Sequence, residues 1–392
     1  MYYPFIKYCN HKTFRYYMET AAGQVKNKTR DANIELLRII AMLMIVALHY
    51  LAHGEGLVGN QPFSFNWTFA WALEAVCIVA VNCYVLISGY FLVTSQFKIK
   101  KLIRLWIQVL FYSITIYLVL IALGLEPFTI KHLAMACVPV LTNQYWFVTV
   151  YLALYIVSPF LNILIHALSR KQFQNLLIIL FTVLSLWPTV LPFGFSLDKT
   201  NGLSIIQFIF LYFIASYIRL YWNHNIRSGY YLGTYILLTV IIAASKFILT
   251  LLGFRALSGM FFEFNSVTVI LSSVMLFMYF RNVSIKSTVM KKIFCSVSAL
   301  TFGVYLIHED IFLRGILYKN VLHTDLYINT SNFIPVSIIT ITGIFTLCIC
   351  IDYTRRQLFT AFEHSMLSDK VIKYFSALSS KLPLSPKSIS TK

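Results

Sequence analysis

Long apolar runs alternate with short polar segments along almost the whole chain. Between Asn33 and Tyr353 these runs recur about every thirty residues, and several reach the roughly 20 residues that a helix needs to cross the hydrocarbon core of a bilayer. The pattern predicts ten membrane-spanning helices. Their expected ranges are 33–53, 69–92, 103–124, 146–168, 174–192, 203–221, 231–253, 264–281, 294–313 and 333–353.

The composition supports the same fold class. Hydrophobic residues make up 59% of the chain and charged residues 12%, whereas an average soluble domain has roughly half and a quarter. A soluble core has no use for so many long apolar runs. We therefore predict an all-α, polytopic transmembrane helical bundle.

The basic residues indicate an orientation in the membrane. Most of the 32 Lys and Arg residues lie in the N-terminal segment, in every second loop after it and in the C-terminal tail. Because loops that face the cytoplasm carry the excess of Lys and Arg, both termini are predicted to be cytoplasmic and the number of helices even. The formal net charge of +18 then follows from topology, so no nucleic-acid partner is expected.

One membrane domain accounts for most of the chain. We predict a basic cytoplasmic N-terminal segment over residues 1–32, the membrane domain over 33–353, and a basic, partly disordered cytoplasmic tail over 354–392. No signal peptide is visible. The seven cysteines show no CxxC or Cys/His spacing, so we interpret them as apolar fillers and predict no metal site.

The first predicted helix carries two polar residues, Arg38 and His49, where lipid alone would not tolerate them. Eleven steps of about 100° amount to roughly three turns, so both side chains lie on one stripe of the helix, about 16 Å apart along its axis. A charge in the middle of a membrane helix costs at least ~2.5 kcal/mol, so such residues usually face a polar interior. The alternatives are that Arg38 extends to the cytoplasmic surface or neutralises Glu35, and that His49 simply bonds to a neighbouring helix.

The predicted orientation gathers further polar and aromatic residues in the outer half of the bundle, at the depth of His49. They are Glu74 in the second helix, Tyr145 and Trp146 at the start of the fourth, Asn265 at the start of the eighth, and His308 and Glu309 in the ninth. We treat them as candidates for orienting His49 or for binding an acceptor. The alternatives are an interfacial aromatic belt for Tyr145 and Trp146, and a buried structural ion pair for Glu74.

Four cations stand close together at the predicted cytoplasmic end of the third helix. They are Lys98, Lys100, Lys101 and Arg104. Such a cluster suits a polyphosphate, and anchoring of the loop to the cytoplasmic face of the membrane is the alternative. Between the two faces, the second helix carries Asn82 and Ser88, which extend the polar positions into the bilayer.

These residues resemble acyltransferase family 3, a family of integral-membrane O-acyltransferases that includes bacterial enzymes acetylating surface polysaccharides and lipopolysaccharide O-antigens. The most specific element is Arg-x10-His in the first helix, matched by Arg38 and His49. A second element, Phe-x-x-basic-basic-x-x-Arg, has lysine here at both central positions, where arginine is common. Its residues are Phe97, Lys100, Lys101 and Arg104. Residues 81–91, 144–162 and 301–309 also look similar, and the resemblance covers about residues 31–353.

The resemblance implies transfer of an acyl group, usually acetyl from acetyl-CoA, to a hydroxyl of a glycan at the outer face of a bacterial inner membrane. CoA is anionic at one end, so the basic loop would hold its phosphates while its acyl-bearing arm extends into the bundle past Arg38. From their place between the two faces of the membrane, we predict that Asn82 and Ser88 lie on the same donor path. No permanently bound cofactor is expected, because acyl-CoA is a substrate.

The resemblance further implies that His49 takes a proton from the attacking hydroxyl or carries the acyl group itself. Either role requires a residue that orients the imidazole, and Glu74, His308 and Glu309 remain alternatives. A polysaccharide exporter or flippase without acyl transfer is the alternative function. Such a transporter has no need of the Arg-x10-His pair or the basic loop.

Overall fold

The computed structural model describes residues 31–191, 198, 200–224 and 226–363. Within them, nine helical segments are long and apolar enough to cross a membrane, and a tenth apolar helix, Ile205–Tyr221, has 17 residues. The prediction of an all-α polytopic bundle is confirmed, and the protein is a multi-pass membrane protein. Nearly all of the predicted N-terminal segment, and the tail beyond residue 363, lie outside the described residues.

The helices of eight or more residues are numbered here in chain order. They are α1 (Ala32–His53), α2 (Phe65–Cys77), α3 (Ala80–Leu92), α4 (Ile99–Ala122), α5 (Ile130–Cys137), α6 (Trp146–Ala167), α7 (Arg170–Phe181), α8 (Ile205–Tyr221), α9 (Ser228–Leu251), α10 (Val267–Asn282), α11 (Thr288–Ser298), α12 (Thr301–His308) and α13 (Phe333–Glu363). A π-helical turn, Thr182–Leu186, and the short helix Trp187–Val190 continue α7. After α12 come Leu313–Gly315, the π-helical turn Ile316–Val321 and the 3-10 turn Thr324–Tyr327.

The second predicted span, 69–92, is two helices rather than one. α2 ends at Cys77 and α3 begins at Ala80, and the two residues between them keep right-handed helical angles. The break contains no glycine or proline, which is why the apolar pattern alone does not predict it. Ser64 caps the start of α2 by accepting a hydrogen bond from the Trp67 backbone N–H at 3.1 Å.

The ninth predicted span, 294–313, also divides into two helices, and its last helix ends earlier. α11 ends at Ser298, and α12 ends at His308. The Asp310 carboxylate explains the early end, because its Oδ1 accepts hydrogen bonds from the backbone N–H groups of Phe312 at 3.0 Å and Leu313 at 3.2 Å. These bonds start a new turn instead of continuing the helix. At the other extreme, α13 continues past the predicted end at residue 353 to Glu363.

Helix α1 lies in the interior of the bundle. It packs against α2, α3, α10, α11, α12 and α13. Near its N-terminus, the Asn33 side-chain amide donates to the backbone carbonyls of Phe280 at 2.9 Å and Arg281 at 3.1 Å. One turn later the Tyr84 hydroxyl donates to the Arg38 carbonyl at 2.9 Å. These contacts fix α1 against α3 and α10, and so fix the positions of the polar residues it carries.

Helix α12 packs closely on α13 because Gly303 has no side chain. A Cβ at this position would overlap the fully buried Asp352 carboxyl group. The Asp352 Oδ1 atom accepts hydrogen bonds from the Tyr112 hydroxyl at 2.7 Å, Arg355 Nε at 2.6 Å and Gln108 Nε2 at 3.2 Å. A buried carboxylate with three donors on α4 and α13 therefore forms the surface on which α12 rests.

Candidate active site

The His49 imidazole, near the C-terminal end of α1, is held by two residues that follow each other at the end of α12. His49 Nδ1 lies 2.9 Å from His308 Nε2 and 3.1 Å from Glu309 Oε2. The His49 side chain keeps 19% of its surface exposed, whereas His308 is fully buried. One ring nitrogen of His49 is therefore occupied by protein, and part of the ring surface is still accessible.

The hydrogen bonds around His308 define which nitrogens carry protons. His308 Nδ1 lies 2.5 Å from the Val304 carbonyl oxygen, which can only accept, so this nitrogen carries the proton. In neutral His308, Nε2 then holds a lone pair, and His49 Nδ1 must donate to it. The neighbouring carboxylate oxygen of Glu309, also an acceptor, favours the same assignment. Neutral His49 is thereby left with a lone pair on Nε2.

The Glu309 carboxylate is the centre of this group of charges. Its Oε2 lies 2.9 Å from His53 Nε2, and its Oε1 lies 2.6 Å from Arg314 Nη1. Burial opposes ionisation of this side chain, but the hydrogen bond with His53 and the Arg314 guanidinium outweigh it, and the pKa of Glu309 lies below its usual range. Glu309 is thus a buried anion with its two oxygens assigned to different partners. We call His49, His53, His308, Glu309 and Arg314 the outer cluster, after the orientation that the charge distribution predicts.

Tyr145 supports the outer cluster from the start of α6. Its hydroxyl donates to Asp310 Oδ2 at 2.6 Å and lies 3.1 Å from the Leu306 carbonyl oxygen. Tyr145 and Asp310 are both fully buried, so Tyr145 does not belong to an interfacial aromatic belt. The bond connects α6 with the turn that carries Glu309. The Tyr305 ring packs near both Tyr145 and His49. Its centroid lies 6.1 Å from the Tyr145 ring centroid and 6.3 Å from the His49 ring centroid.

Three functional candidates in this region are absent from the sequence-based set, namely His53, Asp310 and Arg314. His53 stands one turn after His49 on the same helix face, so its spacing was a usable indication. Asp310 follows the similar segment 301–309 directly, and Arg314 stands four residues later. Arg314 lies beyond the predicted span, and nothing in the local pattern shows that it turns back toward Glu309.

The other predicted outer residues make no hydrogen bond, ion pair or ring contact with His49 among the described residues. The Glu74 side chain has no hydrogen bond or ion pair among the described residues, and its Oε2 atom is buried without a partner. Glu74 therefore neither orients His49 nor forms the alternative structural pair within the part of the chain that the structure describes. Trp146 packs its ring against Phe208, with centroids 6.4 Å apart. Asn265 is buried in the turn before α10.

At the other end of α1, Arg38 pairs with Glu35. The Arg38 Nη1 atom lies 2.8 Å from Glu35 Oε2, so the ion pair expected as an alternative to donor binding is present. The Arg38 side chain nevertheless keeps 27% of its surface exposed, and a guanidinium has five N–H donors. The pair fixes the position of Arg38 and leaves further donors of the same group available.

Asn82 and Ser88 on α3 are occupied by the protein itself. Asn82 Nδ2 donates to the Phe264 carbonyl at 2.9 Å, while its buried Oδ1 has no partner among the described residues. The Ser88 hydroxyl donates to the Tyr84 carbonyl one turn earlier, at 2.9 Å. Asn82 is fully buried, whereas Ser88 is partly exposed and its hydroxyl oxygen keeps its acceptor lone pairs.

The basic residues of the second sequence element lie on the first two turns of α4. Lys100, Lys101 and Arg104 are all exposed, as a site for a soluble polyphosphate requires. The Lys101 Nζ atom lies 6.0 Å from the centre of the Tyr155 ring, which packs in turn against Phe97. Among the described residues, no group of three or more His, Cys, Asp or Glu side chains has the arrangement of a metal site.

Comparison with known families adds an independent finding. The model of acyltransferase family 3, described as an acyltransferase domain, matches residues 31–355. The matched range contains α1 to α12 and most of α13, and with them both Arg38 and the outer cluster. Comparison with curated proteins and with solved structures finds no match.

Proposed function

Because the chain belongs to acyltransferase family 3 and crosses the membrane several times, we propose that it transfers an acetyl group from acetyl-CoA to a hydroxyl of an envelope or exported polysaccharide. Membership in the family makes the protein a membrane acyltransferase. The acetyl donor, the glycan acceptor and a place in the bacterial inner membrane belong to the proposal.

The arrangement of His49 is the observation that carries the proposal. Its Nδ1 is bonded to His308 and Glu309, so the lone pair on Nε2 is available as a base. A carboxylate on one side of an imidazole and a reacting group on the other is the geometry of general-base catalysis in acyl transfer. It also explains why a histidine is placed inside the membrane domain.

The reaction proceeds by attack of the acceptor hydroxyl on the thioester carbonyl carbon. His49 Nε2 takes the hydroxyl proton as the new carbon–oxygen bond forms, and the carbonyl oxygen becomes an oxyanion. Collapse of this intermediate re-forms the carbonyl and breaks the carbon–sulfur bond. The departing CoA sulfur takes the proton from His49 Nε2, which returns the imidazole to its starting state.

Glu309 stabilises the imidazolium that exists between these two proton transfers. Its carboxylate lies 3.1 Å from His49 Nδ1 and keeps its negative charge, so it acts through electrostatics and orientation, without taking the proton. Arg314 and His53 hold the two carboxylate oxygens in place. The cluster is thus pre-organised before substrates bind.

The donor would approach from the opposite end of α1. The exposed cations at the start of α4 suit the phosphates of CoA, and Arg38 stands on the stripe of α1 that leads to His49, about 16 Å away. The exposed part of the Arg38 guanidinium can bind a phosphate or a carbonyl oxygen of the arm. The hydroxyl oxygen of Ser88, on a partly exposed residue of α3, can accept a hydrogen bond from an amide group of the same arm.

Nucleophilic catalysis by His49 uses the same nitrogen. In this alternative mechanism Nε2 attacks the thioester, CoA leaves, and the acceptor hydroxyl then takes the acetyl group from the imidazole. The two routes differ in kinetics. An acetyl-histidine gives ping-pong behaviour and release of CoA before the glycan binds, whereas direct transfer requires both substrates together.

The function is tested by comparing surface glycans from wild-type cells with those from cells lacking the gene, by mass spectrometry. We expect the glycan of the deletion strain to be lighter by one acetyl group per modified repeat, with unchanged abundance at the surface. A gene that encodes the His49→Ala protein, introduced into the deletion strain, should not restore the mass of the glycan. Loss of glycan from the surface with no change in its mass would replace the proposal with polysaccharide export.

A further inference from the structure

A small cavity opens beside the outer cluster, on the face that the charge distribution predicts to be outer. Its volume is about 140 Å³, and it is lined by His53, Gly54, Glu55, Lys319, Thr324 and Asp325. His53 connects the cavity directly to the catalytic group, because its Nε2 lies 2.9 Å from Glu309 Oε2. Sites for whole drug-sized ligands occupy roughly 300–1,000 Å³, so this cavity suits a single ring or the end of a chain.

The cavity has fixed walls, because two loops that form it are hydrogen-bonded to each other. Asn329 donates from its backbone N–H to Asn60 Oδ1 at 3.1 Å and from its side chain to the Gly59 carbonyl at 2.9 Å. Its own Oδ1 accepts from the Gln61 backbone N–H at 2.8 Å. Asn329 adopts a left-handed conformation, with φ of 61°, to make all three bonds.

The floor of the cavity is also built closely. A Cβ at Gly54 would lie 3.0 Å from Thr324 Oγ1, so only glycine allows the end of α1 to approach the turn at Thr324. Thr324 is itself fixed, since its hydroxyl donates to the Tyr318 carbonyl at 3.0 Å. The fully buried Tyr318 places its ring 5.7 Å from that of His53, and its hydroxyl has no hydrogen-bond partner among the described residues.

The lining of the cavity is polar, and its carboxylates outnumber its permanent cations. Glu55 and Asp325 are both present, and Lys319 pairs with Glu55 at 3.0 Å. Carboxylate oxygens accept hydrogen bonds from hydroxyl groups, and a net negative lining repels anions. The chemistry therefore suits a polyhydroxylated, uncharged ring and disfavours a uronic acid or a phosphorylated sugar.

We propose that this cavity binds the sugar ring that receives the acyl group, that the ring is uncharged, and that Glu55 and Asp325 accept hydrogen bonds from its hydroxyls. The inference rests on the proposed function, since it places an acceptor hydroxyl next to the outer cluster. His53 separates the bound sugar ring from Glu309 and so determines how far the sugar ring enters the cavity. The small size of the cavity leaves the rest of the glycan outside the membrane domain.

The test uses the purified full-length protein in lipid nanodiscs, with labelled acetyl-CoA and the polysaccharide extracted from cells lacking the gene. Glu55→Gln and Asp325→Asn should each raise the KM for the polysaccharide about tenfold, since each replaces a charged hydrogen-bond acceptor with a weaker neutral one. The KM for acetyl-CoA and the thermal unfolding midpoint should not change. Glu126→Gln, in another loop of the predicted outer face, is the matched control and should change neither KM.

Mass spectrometry of the product identifies the acetylated ring, which should carry no charged group. Three outcomes would overturn the assignment of the cavity while leaving the acyltransferase function intact. They are an unchanged polysaccharide KM in both variants, a uniform loss of stability without a change in KM, and acetylation of an anionic ring. Absence of any transfer by the wild-type protein would overturn the proposed function, and the cavity assignment with it.

Discussion

His49 Nδ1 lies 2.9 Å from His308 Nε2, although 259 positions separate the two residues along the chain. The contact joins the C-terminal part of α1 to the last residue of α12, and Glu309 follows immediately. Because a helix end fixes both side chains at once, the imidazole of His49 receives a neutral and an anionic partner from one short segment. The consequences for catalysis and folding can be tested separately.

Glu309→Gln should lower the rate of transfer with little effect on substrate binding. The amide cannot stabilise the imidazolium of His49, so we expect kcat to fall about 10²–10⁴-fold, as for removal of the charge that supports a catalytic histidine. The KM for acetyl-CoA should stay within a factor of two or so, because the proposed donor path lies toward the other end of α1. Steady-state kinetics in nanodiscs measure both constants. A wild-type kcat in the variant would contradict the role of the carboxylate.

Tyr145→Phe should destabilise the protein because it removes a hydrogen bond to a buried carboxylate. Deleting the donor leaves Asp310 Oδ2 without its 2.6 Å partner, at a cost of about 1.5–3 kcal/mol in the free energy of unfolding. Tyr151→Phe is the control, since this hydroxyl, on the same helix, has no hydrogen bond among the described residues. Thermal unfolding in detergent compares the two. Equal midpoints would show that the Tyr145 bond contributes nothing.

Gly303→Ala should destabilise the contact between α12 and α13. The added methyl group would overlap the Asp352 carboxyl, and overpacking of this kind costs about 1–3 kcal/mol. At Gly343, on α13 itself, a Cβ meets no described atom within 4 Å, so Gly343→Ala is the matched control and should be neutral. Thermal unfolding again gives the comparison, and transfer activity should fall only in Gly303→Ala because α12 carries His308. Identical behaviour of both variants would contradict the packing argument.

Neutralising the basic residues at the start of α4 should weaken donor binding. The triple replacement of Lys100, Lys101 and Arg104 by Gln should raise the KM for acetyl-CoA at least about tenfold and reduce its dependence on salt, because the CoA phosphates lose their counter-charges. The double replacement of Lys291 and Lys292 by Gln, in the exposed part of α11, is the control. Reduced membrane insertion with an unchanged KM would favour the anchoring role instead.

The sequence predicts much of this fold because the bilayer restricts what a chain can do. Apolar length and the shortage of charge are sufficient to predict a helical bundle and the approximate span positions. The breaks after Cys77 and Ser298 are not predictable in this way, because the apolar residues continue across them. The early end of α12 depends on the Asp310 side chain, which the apolar pattern does not consider.

The sequence predicts how deep in the membrane each candidate side chain lies, but not the direction in which it points around its helix axis. Orientation and helix length place Glu74 and Glu309 at similar depth, and nothing in the local sequence indicates which of them faces His49. Only the packing of α12 against α1 brings Glu309 to His49 and leaves Glu74 without a partner among the described residues. The same packing brings in Arg314, whose side chain crosses back to Glu309 from beyond the helix.

The central claim is that His49 carries the chemistry of acyl transfer. The most direct test is transfer of label from acetyl-CoA to polysaccharide extracted from cells lacking the gene, by purified wild-type protein and by His49→Ala at matched nanodisc concentration and matched unfolding midpoint. We predict measurable transfer by the wild-type protein and a loss of at least about 10³-fold in His49→Ala. Equal rates in the two proteins would contradict the claim.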